Sequence, residues 1–160
     1  MTKLAILFGG VSTEHDISCK SAHNVVRALD GRFGLQLVGI TRDGDWLRYA
    51  GVACLPGRSG DRHGLVLVTA SGLEPLPVDA CLPVLHGQGG EDGTVQGLLE
   101  SCGIPYVGCG VMSSAVCMDK DASHRLAAAA GVRSPECGVL YRGASRDEAL
   151  AAVEACGGFP

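Results

Sequence analysis

Residues Leu4-Ala5-Ile6-Leu7-Phe8 form an unbroken apolar run that stops at Gly9-Gly10, and this feature narrows the fold more than any other. A strand with one wet face alternates apolar and polar residues, whereas an unbroken run needs cover on both sides, as in a parallel sheet flanked by helices. The next pattern supplies such cover. Ala22, Val25, Val26 and Leu29 fall at i, i+3, i+4 and i+7, the stripe of an amphipathic helix, and Leu35 to Ile40 reads as a second strand. Strand, glycine turn, helix and strand in that order open a doubly wound α/β domain.

From Thr41 to Asp79 the pattern loosens into a β-rich excursion. Asp43-Gly44 predicts a hairpin turn before Trp46-Leu47-Arg48-Tyr49, Gly57-Arg58-Ser59-Gly60-Asp61 predicts a loop, and Leu65 to Thr69 predicts a strand. Order returns with a strand at Ala80 to Leu85, in which Pro83 removes a ladder donor and counts against a central place. Val95, Leu98, Leu99 and Cys102 then show helical spacing, with Asp92 or Thr94 near the helix start. Helices are expected around Ser113 to Met118 and through Leu126 and the alanines to Gly131, and a domain boundary between Gly131 and Pro135. Residues 1–131 are therefore expected to form one α/β domain with the excursion at about 41–79. Residues 132–160 hold a strand at Cys137 to Tyr141 and a helix at Asp147 to Ala155, with nothing to pack on. They are expected to be the incomplete beginning of a second domain.

Composition removes several classes of function. The formal net charge of the 160-residue chain is -4, its 13 Lys and Arg are scattered, and 4% of its residues are aromatic, so neither a basic stripe nor a stacking platform for nucleic acid emerges. The apolar run at the N-terminus is too short for a signal-peptide core, and none approaches the ~20 residues that span a bilayer, so cytoplasmic residence is expected. The eight cysteines show no Cys-x-x-Cys pair, which favours reduced thiols packed as small apolar groups over a disulfide or metal framework.

In open α/β sheets ligands gather at the carboxyl ends of the strands, and two glycine-rich segments fall there, after Phe8 and after Leu85. Neither fits a familiar nucleotide fingerprint: the chain has no Gly-Lys pair, and glycines at 87, 89, 90 and 93 miss the dinucleotide spacing. The polar neighbours are Glu14 and His15 after the first turn and His86, Glu91 and Asp92 after the second. A carboxylate there can pair with an ammonium, and a histidine can exchange a proton near neutral pH. The plainer alternative is that Glu14 and Asp92 cap helices and His86 braces a loop.

Phe8-Gly9-Gly10-Val11-Ser12-Thr13-Glu14-His15-Asp16-Ile17-Ser18 resembles the first motif of the D-alanine–D-alanine ligases. Leu85-His86-Gly87-Gln88-Gly89-Gly90-Glu91-Asp92-Gly93-Thr94-Val95-Gln96-Gly97 resembles their second, and Gly103-Ile104-Pro105-Tyr106-Val107-Gly108 and Cys117-Met118-Asp119-Lys120 continue the match in order. The resemblance runs from residue 4 to about residue 160 and is weakest over 41–79. It implies the pre-ATP-grasp α/β domain and the start of an ATP-grasp domain. The implied reaction uses ATP and magnesium to activate one D-alanine as an acyl phosphate, which the amine of a second D-alanine attacks, in peptidoglycan precursor synthesis. By position, Glu14 matches the glutamate at the first D-alanine's ammonium, His86 the histidine beside that subsite, and Lys120 a lysine reaching the nucleotide phosphates. Gly9, Gly10 and Gly87 are expected to keep the floor of the subsite open. Ser12 is a further candidate, although a helix-capping role explains it as well. The resemblance also implies a homodimer.

The family's Val-Lys-Pro strand, its serine and tyrosine partners of Glu14, the adenine contacts, the arginine and the magnesium carboxylates have no counterpart among these residues, and no metal ligand is expected in the chain. The segment Gly39 to Trp46 looks more like the vancomycin-resistance ligases, whose acceptor is D-serine or D-lactate. Two other readings stay open: a different ATP-grasp ligase with the same preceding domain, and a non-catalytic α/β module that binds a small amino acid.

Overall fold

A computed structural model describes residues 1–48, 51–59 and 62–159. Within them the order is β1 (Lys3–Gly9), α1 (His15–Leu29), β2 (Gly34–Ile40), β3 (Trp46–Arg48), β4 (Val52–Ser59), β5 (Arg62–Thr69), β6 (Gly72–Leu76), β7 (Ala80–Pro83), α2 (Thr94–Ser101), α3 (Val111–Met118), α4 (Lys120–Ala129) and α5 (Arg146–Ala155). The chain separates into two compact units, Met1–Ala115 and Val116–Pro160.

The first unit is a mixed α/β body on a seven-stranded sheet of order β6-β5-β4-β3-β2-β1-β7. β1 lies between β2 and β7 and runs parallel to both. Its apolar run is divided between two cores. Leu4 and Ile6 face α1 and pack with Ala22, Val25, Val26 and Leu29, while Ala5 and Leu7 face the other way and pack with Val38, Cys81, Val95 and Leu99. That is the physical content of an unbroken run: period-two side chains, with an apolar layer on each side.

Parallel pairing is confined to β2-β1-β7. The 41–79 excursion adds β3, β4, β5 and β6 to the same sheet as successive antiparallel pairs. The short connections decide this, because a parallel neighbour needs a crossover of a dozen or more residues. At the β2–β3 turn, the Thr41 N–H donates to the Asp45 carbonyl at 2.8 Å and the Gly44 N–H to that of Thr41 at 3.1 Å, as Asp43-Gly44 predicted. The loop expected over 57–61 is corrected in part, since Gly57, Arg58 and Ser59 continue β4 in register with β5. Gly60, Asp61 and Tyr49, the end of the expected β3 run, lie outside the described residues. Pro83 closes β7, the last strand in the sheet order, where a missing donor is tolerated.

The second unit holds α4 and α5. Asp119 caps α4 by accepting from the Ala122 N–H at 3.0 Å. Ser145 and Glu148 form a reciprocal capping box on α5. The strand expected at Cys137 to Tyr141 is absent from the described structure: those residues are exposed and unpaired with any strand. A lone extended segment has nowhere to send its N–H and C=O groups except water, so apolar composition alone does not make it a strand. The cysteines also divide. Cys54 and Cys81 are buried as small apolar groups, and burial pushes the Cys81 thiol up to about 12. Cys109, Cys117 and Cys137 are exposed, so packing does not account for them. No helix among the described residues is long and apolar enough to cross a membrane.

Candidate functional site

Both glycine-rich segments leave the sheet at the same end, after β1 and after β7, which are paired neighbours. Gly9 and Gly10 take positive φ, +89° and +94°, turning the chain sharply from β1 toward α1. The turn is tied to the adjacent strand, with the Gly10 N–H donating to the Ile40 carbonyl at 2.8 Å.

The helix that follows presents a polar stripe beside its apolar one. Glu14, Ser18 and Ser21 are spaced i, i+4 and i+7 and so share a face, and each meets the segment after β7. The buried Ser18 hydroxyl donates to the Val84 carbonyl at 2.5 Å and accepts from the Gly9 N–H at 2.8 Å, joining both loops to the helix. Ser21 Oγ lies 3.1 Å from His86 Nε2. Glu14 occupies the N-cap position of α1 but its side chain makes no cap hydrogen bond. Its carboxylate is instead set over Gly87, where an added Cβ would come within 2.6 Å of Glu14 Oε2.

Ser12 works outside the helix. Its hydroxyl donates to the His86 carbonyl at 2.7 Å and accepts from the Glu14 N–H at 3.1 Å. One side chain thus fixes the start of α1 against the second loop, which goes beyond a cap. His15 Nδ1 reaches the Gly10 carbonyl at 2.7 Å, a bond internal to the first turn.

The acidic pair of the second loop is occupied in holding that loop. Glu91 accepts from the Gly87 N–H at 2.7 Å, and Asp92 accepts from the N–H groups of Gly89 and Thr94 at 2.8 and 3.0 Å. Burial pushes the Asp92 carboxyl up, but the hydrogen bonds from Gly89 and Thr94 together outweigh it, and the group lies below its ordinary range. A carboxyl depressed by folding stabilises the fold above its unfolded pKa and loses that contribution as the pH falls through its folded value. Acid below about pH 4 should therefore loosen this loop. Asp92→Asn is expected to flatten the pH dependence of urea-unfolding midpoints in that range; a slope identical to that of the parent chain would contradict the assignment.

Gly9, Gly10, His86 and Gly89 also border a cavity of about 340 Å³, closed on its apolar side by Ile40, Trp46, Leu85, Val95 and Leu98. Leu98, placed by its spacing on the buried stripe of α2, is 40% exposed. Gln96 is buried on the same helix and donates to the Gly90 carbonyl at 2.8 Å.

Of the residues singled out in the sequence, Gly9, Gly10, Ser12, Glu14, His86 and Gly87 are brought together at this end of the first unit. Lys120 belongs to the second unit, where its ammonium donates to the Cys117 carbonyl at 3.0 Å. Among the described residues no three His, Cys, Asp or Glu side chains cluster as metal ligands do. Ser18 and Ser21 escaped the sequence reading, although their spacing from Glu14 is a signal that could have found them.

The family model described as D-ala D-ala ligase N-terminus matches residues 3–109. A D-alanine–D-alanine ligase of Caldicellulosiruptor bescii is 41% identical over an alignment covering 100% of this chain and 49% of the relative. The vancomycin B-type resistance protein VanB of Enterococcus faecalis is 42% identical over 88% of this chain and 44% of its own length. Among solved structures, the VanG D-Ala:D-Ser ligase of Enterococcus faecalis superposes with a TM-score of 0.82 at 34% identity, covering 99% of this chain and 50% of that one. The chain thus spans about half the length of the relatives it matches. With two glycine loops, a helix carrying the first motif and a family match over most of its first unit, the chain belongs to the D-alanine–D-alanine ligase family, as its N-terminal portion.

Proposed function

We propose that this chain supplies the first-substrate subsite of an ATP-dependent ligase that joins D-alanine to a second D-alanine in cytoplasmic peptidoglycan precursor synthesis. The observation that carries the reading is the Glu14 carboxylate, unused by its own helix and set against Gly87 beside His86. A carboxylate at the open end of parallel strands offers a charge-assisted hydrogen bond to the ammonium of an amino acid. His86, the residue before Gly87, adds a hydrogen-bonding imidazole on the same segment. Gly9 and Gly10 border the cavity, Gly87 leaves room for the Glu14 carboxylate, and Ser12 ties the two loops together.

In the proposed reaction ATP with Mg²⁺ supplies the phosphoryl group that activates the first carboxylate. The ammonium held by Glu14 keeps that carboxylate aimed outward from the subsite, where an acceptor amine can attack the acyl carbon and release phosphate. Lys120 is the one candidate phosphate contact, and it would exchange its bond to the Cys117 carbonyl for a phosphate oxygen. Among the described residues no three His, Cys, Asp or Glu side chains cluster, and no step is assigned to the metal within this chain. D-Serine or D-lactate is the alternative acceptor, the former in line with the likeness to the VanG D-Ala:D-Ser ligase. A homodimer is part of the same proposal.

The test is a pair of substitutions in a full-length ligase carrying this N-terminal half. Glu14→Ala is expected to raise KM for the first D-alanine about tenfold to a hundredfold, the size of a lost charged hydrogen bond. His86→Ala should weaken the same KM by a smaller factor. Unchanged KM and turnover in both variants would remove the assignment.

A further inference from the structure

We propose that Ser21 is a positioning residue for His86, occupying the imidazole Nε2 so that Nδ1 is the ring nitrogen presented to the first substrate. The inference rests on the reading of His86 as a subsite residue and adds the ring's orientation to it. Ser21 Oγ lies 3.1 Å from His86 Nε2, and the His86 carbonyl is held separately by the Ser12 hydroxyl at 2.7 Å. Backbone and ring tip are therefore each anchored by a serine, one ahead of α1 and one on it. The anchors share a rigid base, because Ser18, one turn before Ser21, fixes the same helix to the Val84 carbonyl.

A hydroxyl suits this task better than a carboxylate or an amide. It donates to an unprotonated Nε2 and accepts from a protonated one by rotating about its own C–O bond. The ring is thus held in either protonation state without favouring one of them by charge. With Nε2 engaged on α1, Nδ1, on the other side of Cε1, is left to exchange a hydrogen bond or proton with a ligand held by Glu14. Ser21 touches no substrate in this scheme and acts only through the imidazole.

Two measurements test it. In the chain itself, long-range ¹H–¹⁵N spectra of the His86 ring are expected to show Nε2 shifting in Ser21→Ala and returning toward its original position in Ser21→Thr, with Nδ1 little changed. In the full-length ligase, Ser21→Ala should raise KM for the first D-alanine about threefold to tenfold, the range of one ordinary hydrogen bond, while kcat changes less. Ser21→Thr should restore KM to within about twofold of the parent. The proposal is overturned if Nε2 and KM are both indifferent to Ser21→Ala while His86→Ala still raises KM. If Nε2 responds to Ser21→Ala but His86→Ala leaves KM unchanged, the substrate-subsite reading fails and this inference falls with it, although the contact is real.

Discussion

The 160-residue chain incubated with ATP, Mg²⁺ and D-alanine is expected to release no phosphate above the uncatalysed background. Phosphoryl transfer spreads negative charge over the moving group and its two oxygen partners, and catalysis consists largely of placing cations and donors where that charge develops. The resemblance assigns those tasks to an arginine, a second lysine and magnesium carboxylates that have no counterpart in this sequence, and the chain spans about half the length of its relatives. A single oxyanion donor is worth roughly 10²–10³ in rate, and an arginine at the transferring group about 10³–10⁵, so the combined deficit is many orders of magnitude. The assay is colorimetric phosphate release, with a full-length ligase as the positive control. Release from the purified chain that requires both ATP and D-alanine would overturn the expectation and transfer the chemistry to residues described above.

Gly9→Ala is expected to destabilise the first unit by about 2–5 kcal/mol, a large fraction of the stability of a domain of this size. Two costs combine. At φ +89° a Cβ-bearing residue leaves its allowed backbone regions, which costs roughly 1–2 kcal/mol. The new Cβ would also overlap the Ile40 carbonyl oxygen, a backbone atom of the neighbouring strand that cannot swing aside. Relieving the overlap means moving β2 away from β1 or breaking the Gly10-to-Ile40 hydrogen bond. Gly31 supplies the control: it too has positive φ, +71°, but an added Cβ would meet nothing within 4 Å. Gly31→Ala should therefore cost only the backbone term, about 1–2 kcal/mol. Urea melts of the two variants compare the costs directly. Equal midpoints would mean that the close approach to β2 carries no weight.

Much of this architecture was legible in residue order. Leu4 to Phe8 had to be a strand covered on both faces, because five consecutive apolar side chains cannot share one side of a sheet. The α1 stripe at Ala22, Val25, Val26 and Leu29 named the helix that covers one face, and Asp43-Gly44 named the β2–β3 turn. The errors have a common origin. Cys137 to Tyr141 has the composition of a strand, and Gly57 to Ser59 that of a loop, yet pairing decided both. Strand status belongs to a hydrogen-bonded neighbour and not to the segment itself.

At the candidate site the division is similar. Motif order within the chain singled out Glu14, His86 and the glycines, because those residue types at those spacings are local facts. Tertiary structure alone determined which polar groups are already occupied. Glu91 and Asp92 are occupied by loop N–H groups, whereas the Glu14 carboxylate is turned away from its helix cap and toward Gly87. Ser18 and Ser21 are unremarked hydroxyls until α1 lies against the segment after β7, more than sixty residues away in sequence. Sequence determined the elements and the chemical groups they carry; packing of α1 on β1 and β7 decided which of those groups meet. The reason is physical: periodicity fixes the face on which a side chain emerges, but a hydrogen bond also requires a partner within about 3 Å, and only the folded sheet sets that distance.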